Sequence, residues 1–265
     1  RMGNENKGGA MMDTTNRMKE MSWTTFAERK KKTDLVLLPS GACEGYGPHL
    51  PLGSDLLVAD KMAELVAERV DAIIGPTLEV GDSSALDDYP GTIAIRPESY
   101  KAYLEDVVNS LLKWGFKDFL FVNGHAGNVP MINQVARSLQ ERTEIRCAQV
   151  DCWRFIKAQD QGITESGRAP HGHAGEAGTS VMMYLYPSLV DSTQMIDEVP
   201  RQTDPFPEMI KYVRYSTKTE SGILGSPSLA SREKGEALVQ RSVERIVRFL
   251  HESWGIPVRS ALQEK

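Results

Sequence analysis

Four short apolar runs, separated by longer stretches of helical periodicity, set the tightest limit on what this chain can fold into. Asp34–Pro39 (DLVLLP), Asp71–Gly75 (DAIIG), Lys117–Val122 (KDFLFV) and Ile145–Val150 each read as a strand. Between them, Asp55–Val70 places Val58, Met62, Leu65 and Val66 on one stripe. Glu98–Trp114 repeats Tyr100, Leu104, Val107, Val108 and Leu111 at helical spacing, with Gly115 placed to end that helix. Val129–Glu141 and Glu176–Leu185 read as further helices. Tyr186–Ser231 is rich in Pro, Gly, Ser and Thr and reads as irregular structure. The last helix, Arg232–Ser253, has Ser231 as its N-cap and buries Val239, Val243, Ile246, Val247 and Leu250. Alternation of this kind predicts an α/β fold, a mainly parallel sheet flanked by helices on both faces. Residues 18–265 are expected to form a single domain. Residues 1–17 are polar and glycine-bearing, with an Arg ahead of Met2, and are expected to be disordered or left over from an expression tag.

In such a sheet, ligands bind beyond the carboxyl ends of the strands, so metal-capable side chains should gather there. Four of the five histidines do so, His49, His125, His171 and His173, while His251 sits in the final helix as an ordinary surface residue. Ser40–Asp55 (SGACEGYGPHLPLGSD) follows the first strand and offers Glu44, His49 and Asp55 among glycines and prolines. Asn123–Asn128 (NGHAGN) follows the third strand and presents His125 from a tight turn. His171–Ser180 (HGHAGEAGTS) places His173 three positions before Glu176 at a helix start. Any one of these residues, taken singly, is as well explained as a turn former or a cap; Asp55 in particular has the place of an N-cap. The argument for a site is coincidence of position. Two carboxylates and a histidine converging from separate loops suit a borderline divalent cation such as zinc or manganese.

Composition narrows the partners. With a formal net charge of −5 over 265 residues, the chain has no basic field for nucleic acid or an anionic membrane. Lys30, Lys31 and Lys32 are the one tight basic run and read as a solvated helix end. No apolar run approaches the ~20 residues that span a bilayer. Three cysteines, Cys43, Cys147 and Cys152, carry no CxxC spacing, which argues against a disulfide framework and for a reducing, cytoplasmic setting. Cys43 reads as a small packed thiol rather than a nucleophile.

The three segments carry a resemblance. CEGYGPHLPLGSD resembles the E-Q-H-G-P-H-L-P-L-x-x-D signature of the creatininase (creatinine amidohydrolase) family; FVNGHAGN is similar to its N-G-H-x-x-N turn, and HAGEAGTS to its H-A-G-E-x-E-T-S helix start. Pro90–Thr92 (PGT), the DCWRF around Trp153, and Leu229–Glu236 (LASREKGE) match in the same order, so the likeness covers nearly the whole chain. It implies an α/β hydrolase with a dinuclear centre of zinc, manganese or possibly iron, assembled as a homo-oligomer, a hexamer in family form. Residue by residue, it implies that Glu44, Asp55 and His125 hold one metal. Asp55 would bridge to a second, bound also by Glu176. His173 is implied as a proton shuttle beside a small polar substrate, with Glu176 sharing that role. Tyr46, His49, Trp153, His171 and Asn123 are expected to touch substrate or to support the ligands.

The departures are equally specific. Tyr46 stands where the family has a second-metal histidine, Gly127 and Gly178 where it has glutamates, and Ala169–Pro170 where a tryptophan closes over creatinine. A phenol with a pKa near 10 is a poor substitute for imidazole, so the second metal site and the creatinine pocket are both in question. Three activities compete: a C–N hydrolase acting on a cyclic amide or formamide, a C–C hydrolase opening a keto-inositol ring, and a metal-binding oligomer without activity.

Overall fold

The two central strands are buried along their whole length because both of their faces are covered. A computed structural model describes residues 15–259 apart from 143, 168, 200–204, 207 and 210. Its sheet contains β1 (Leu35–Ser40), β2 (Ile73–Ile74), β3 (Asp118–Asn123) and β4 (Arg146–Asp151), all parallel, in the order β2-β1-β3-β4. Every residue of β1 and β3 is buried. Alternate side chains feed two cores. Leu35, Leu37, Ile74, Leu120, Val122 and Val150 pack under α2 (Ser54–Arg69), α6 (Glu176–Leu185) and α7 (Arg232–Trp254). Val36, Leu38, Ile73, Phe119 and Phe121 pack under α3 (Pro97–Lys113) and α4 (Val129–Gln140). The result is a helix–sheet–helix sandwich of the expected class.

Local chemistry explains the boundaries. Pro39 lies in a central strand without breaking it, because β2 has already ended at that level and the Pro39 carbonyl accepts from Leu78 N at 3.0 Å. Gly115, at φ +85°, ends the turn after α3. Ser231 Oγ accepts from Lys234 N at 3.2 Å and caps α7, as anticipated.

Two helices were not anticipated. In α1 (Trp23–Lys30), only Arg29 is buried, so the helix carries no apolar stripe to read; its end does coincide with the start of the Lys30–Lys32 run. α5 (Cys152–Ala158) is a short helix directly after β4, anchored by Cys152 and Ile156. The described part of 186–231 contains short 3₁₀ turns and one isolated antiparallel bridge, Glu198 to Gly225.

The disorder expected through residue 17 is corrected for its last residues; 1–14 lie outside the described residues. Ile74 N donates to Asn16 O at 2.7 Å, and Arg17 pairs with Asp60 at 2.8 Å, so 15–17 run along the edge of β2 and α2.

All four carboxyl ends open on one edge of the sheet. There the loop after β1 and the turn after β3 meet. Gly124 N donates to Ser40 O at 2.8 Å, and a Cβ on Gly124 would stand 2.0 Å from Asp55 O. Only glycine permits that approach, and it carries the start of α2 up against the β3 turn.

Candidate metal centre

Glu44, Asp55 and His125 converge at this edge from three separate points of the chain. They are 1%, 2% and 6% exposed, and one ligand atom from each lies within 4.8 Å of the others. Glu44 comes from the loop after β1. Asp55 sits in the first turn of α2, where the partial positive charge of the helix start favours a carboxylate. It is not the N-cap; that place belongs to Gly53. His125 is presented by the turn after β3. Asn123 builds that turn, donating to His125 O at 2.6 Å and accepting from Ser40 Oγ at 3.1 Å. Asn128 ties it to the β1 loop through Gly41 O at 2.9 Å.

The hydrogen bonds around the three side chains decide which atoms remain free. His125 Nε2 lies 2.8 Å from Asp82 O, a carbonyl, so Nε2 bears the proton and Nδ1 keeps its lone pair. That lone pair faces Asp55 Oδ2 at 3.0 Å and Glu44 Oε2 at 3.2 Å. Ser83 Oγ donates to Glu44 Oε2 at 2.7 Å, and the Trp153 indole donates to Asp55 Oδ1 at 2.7 Å. Three ligand-capable atoms thus meet, buried, with room between them for one positive centre: a cation, or without it a proton on His125 Nδ1.

The three groups also perturb one another electrostatically. Burial pushes Asp55 above the usual carboxylate range, and the charge of Glu44 adds to this. Burial also opposes the charge of Glu44, yet hydrogen bonds from His125 and His173 hold it below that range. Burial works against a charged His125, but Asp55 and Glu44 outweigh it and raise its pKa well above the ordinary value. Such a cluster is arranged to receive positive charge.

The remaining expected residues divide into two groups. His173, Tyr46 and Trp153 stand beside the cluster. His173 Nδ1 lies 2.7 Å from Gly222 O and therefore donates, which turns Nε2 towards Glu44 Oε1 at 3.2 Å. The Tyr46 ring lies 4.1 Å from that of His173 and 6.2 Å from that of Trp153. These residues, with His171, Gly172, Ala177 and Gly178, line a cavity of about 140 Å³. His171 Nε2 is held by Asp160 Oδ2 at 2.7 Å. His49 is a strut: its Nε2 donates to Thr179 Oγ1 at 2.9 Å, and burial lowers its pKa to about 4. Cys43 is half-buried, its Sγ 3.7 Å from Gly91 O, and all three cysteines are free thiols.

Glu176 is placed apart from the three. The resemblance implied a ligand to a second metal and a partner in proton transfer. Its side chain is instead engaged at the far end of the α6 start. Oε1 accepts from Lys234 Nζ at 2.7 Å and Glu165 N at 2.9 Å, and Oε2 from Ser166 N at 2.7 Å. A fully buried carboxylate takes the nearest cation, and here that cation comes from α7.

Sequence reading missed Asp82, Ser83, Asp160 and Tyr215. Asp82 and Ser83 carried a usable signal, since GDSS lies in the loop beyond the second strand, where the sheet-edge rule points. Tyr215, whose ring lies 5.1 Å from that of His173, comes from the irregular stretch and carried none.

A parallel sheet flanked by helices, with a buried carboxylate–imidazole cluster fit to hold a metal ion beyond its carboxyl edge, is the frame of an α/β hydrolase. The chain belongs to the creatininase family: the family model described as creatinine amidohydrolase matches residues 19–250. Creatinine amidohydrolase of Pseudomonas putida is 28% identical over 89% of this chain and 96% of its own. The mycofactocin precursor peptide peptidase of Mycolicibacterium smegmatis is 30% identical, covering 83% and 85%. The 3-dehydro-scyllo-inosose hydrolase of Thermotoga maritima is 25% identical, covering 88% and 82%. Among solved structures, a creatininase mutant of Zn–Zn type superposes with a TM-score of 0.79 at 27% identity over 91% of this chain and 98% of that one. A further neighbour, described as creatininase Mn, has a TM-score of 0.77 at 27% identity over 91% and 99%.

Proposed function

We propose that this hydrolase cleaves a C–N bond in a small polar amide, with a divalent cation, zinc or manganese, held by Glu44, Asp55 and His125. The observation that carries the reading is the meeting of three buried lone-pair atoms, Glu44 Oε2, Asp55 Oδ2 and His125 Nδ1, beside a cavity walled by His173. Their donor set, one imidazole nitrogen and two carboxylate oxygens, suits such a cation. When bound, the cation supplies Lewis acidity, making water nucleophilic near neutral pH and drawing charge from a carbonyl.

The protein's own residues do the rest. Asp82 fixes the His125 tautomer, while Ser83 and Trp153 hold the two carboxylates in place. His173, locked by Gly222, presents Nε2 beside Glu44 Oε1 at the cavity; with the Glu44 charge engaged by a cation, Nε2 would be released to take a proton from water and return it to the leaving nitrogen. Tyr46 stays protonated, because burial and the neighbouring Asp55 and Glu44 push its pKa well above the ordinary value; it serves as a hydrogen-bond donor to substrate.

The same proposal includes a cytoplasmic homo-oligomer. Free thiols support a reducing compartment. Among the described residues, no helix is long and apolar enough to cross a membrane. Trp23 and Trp114, 82% and 56% exposed, support association between copies.

The test is turnover of metal-loaded wild type and His125→Ala on lactams, formamides, short peptide amides and cyclic ketones. The expected result is hydrolysis of an amide by the wild type, and a loss of metal and of more than about a hundredfold in rate in the variant. Turnover of ketones alone would replace C–N by C–C hydrolysis. Full metal occupancy in a folded His125→Ala would remove the proposed centre.

A further inference from the structure

We infer that the centre of this chain is mononuclear, and that the space a second cation would need is an uncharged cavity. The inference rests on the cation site proposed above. It sets the chain apart from its neighbour of Zn–Zn type. Among the described residues, Glu44, Asp55 and His125 form the one cluster of three or more His, Cys, Asp or Glu ligand atoms.

The further donors nearby are missing, spent or turned away from the cavity. Both oxygens of Glu176 are taken by Lys234 and by the backbone of 165 and 166. His49 uses Nε2 on Thr179 and turns its unpartnered Nδ1 towards Gly47, outside the cavity lining, and His171 Nε2 is held by Asp160. His173 uses Nδ1 on Gly222 O, leaving one nitrogen that already faces Glu44. Position 127 has no side chain and admits none as the turn stands. A Cβ there would lie 2.2 Å from Asp82 O and 2.5 Å from His125 Nε2, the very pair that fixes the tautomer.

Position 178 is different. A Cβ on Gly178 would meet Trp153 at 3.9 Å and Tyr46 at 4.0 Å, ordinary contacts, and would head into the cavity. Gly178, Ala177, Tyr46 and Trp153 therefore leave about 140 Å³ beside the triad with no anionic wall on that side. An unpaired divalent charge is strongly disfavoured in such a place. A neutral part of the substrate fits it.

The experiment is a metal count on wild type that has been stripped, reloaded with excess zinc or manganese, and desalted. One equivalent per chain is expected, and the manganese form should give the six-line paramagnetic resonance spectrum of an isolated ion. Two retained equivalents, or an exchange-coupled manganese spectrum, would overturn the inference and leave the triad standing. Zero equivalents would overturn the triad and the inference with it. The double variant Tyr46→His/Gly178→Glu returns an imidazole and a carboxylate to the cavity. Its affinity for a second equivalent should rise at least about tenfold over wild type. A folded double variant that still retains one ion would overturn the assignment of the loss to positions 46 and 178. Should the variant not fold, the wild-type count and spectrum still decide.

Discussion

At the scale of single residues, the centre depends on which nitrogen of each histidine carries the proton. In His125 and His173 the choice is made by a backbone carbonyl, Asp82 O in one case and Gly222 O in the other. In His171 it is made by Asp160 Oδ2. Asp160 has an ordinary pKa of 3.8. Burial would raise it, but hydrogen bonds from Thr164 and His171 outweigh that and bring it down to about 2. A carboxylate whose folded pKa is depressed contributes stability above its unfolded pKa and loses it as pH falls through the folded one. Asp160→Asn should therefore lower the melting temperature near neutral pH. The gap from wild type should close between about pH 4 and pH 2. A gap that stays constant over that window would mean the pair adds no charge-dependent stability. The triad was legible because each member lies just beyond a strand, Glu44 and His125 in the following loop or turn and Asp55 at the start of the helix after β1. The direction of Glu176 was not, since it is set by Lys234, whose place beside α6 appears only once α7 packs.

At the scale of elements, the α6–α7 pair has a polar clamp at its centre. Glu176 opens α6, Lys234 lies in the first turn of α7, and the loop at 165–166 is pinned between them. Glu176→Gln keeps the shape but removes the charge, leaving Lys234 with a weaker partner. A loss of roughly 1–3 kcal/mol is expected for a hydrogen-bonded group in such a setting. Metal content should stay at the wild-type value. A variant of unchanged stability that no longer bound metal would return this carboxylate to the centre. Helices with a buried stripe, α2, α3, α4 and α7, could be placed from periodicity alone. α1 could not, because it turns only Arg29 and a single apolar side chain, Phe26, inward, and α5 is too short for a period to show.

At the scale of the whole molecule, strand order decides what can meet. With β1 and β3 adjacent and parallel, the loop carrying Glu44 and the turn carrying His125 leave the same edge, and α2 brings Asp55 between them. A cation bound only by the folded arrangement stabilises it by RT ln(1 + [L]/Kd), about 2.7 kcal/mol at one hundred times Kd. Chelation should lower the melting temperature, and restoring zinc should raise it again. An unchanged transition after verified metal removal would argue against a ligand set drawn from the β1 loop, the start of α2 and the β3 turn.

The central claim is that Glu44, Asp55 and His125 hold a cation, and anomalous diffraction at the zinc edge from crystals of reloaded protein tests it most directly. The account predicts one strong peak about 2.0–2.2 Å from Glu44 Oε2, Asp55 Oδ2 and His125 Nδ1, with none beside Glu176. A peak bound by Glu176, or the absence of any peak among the three, would contradict it.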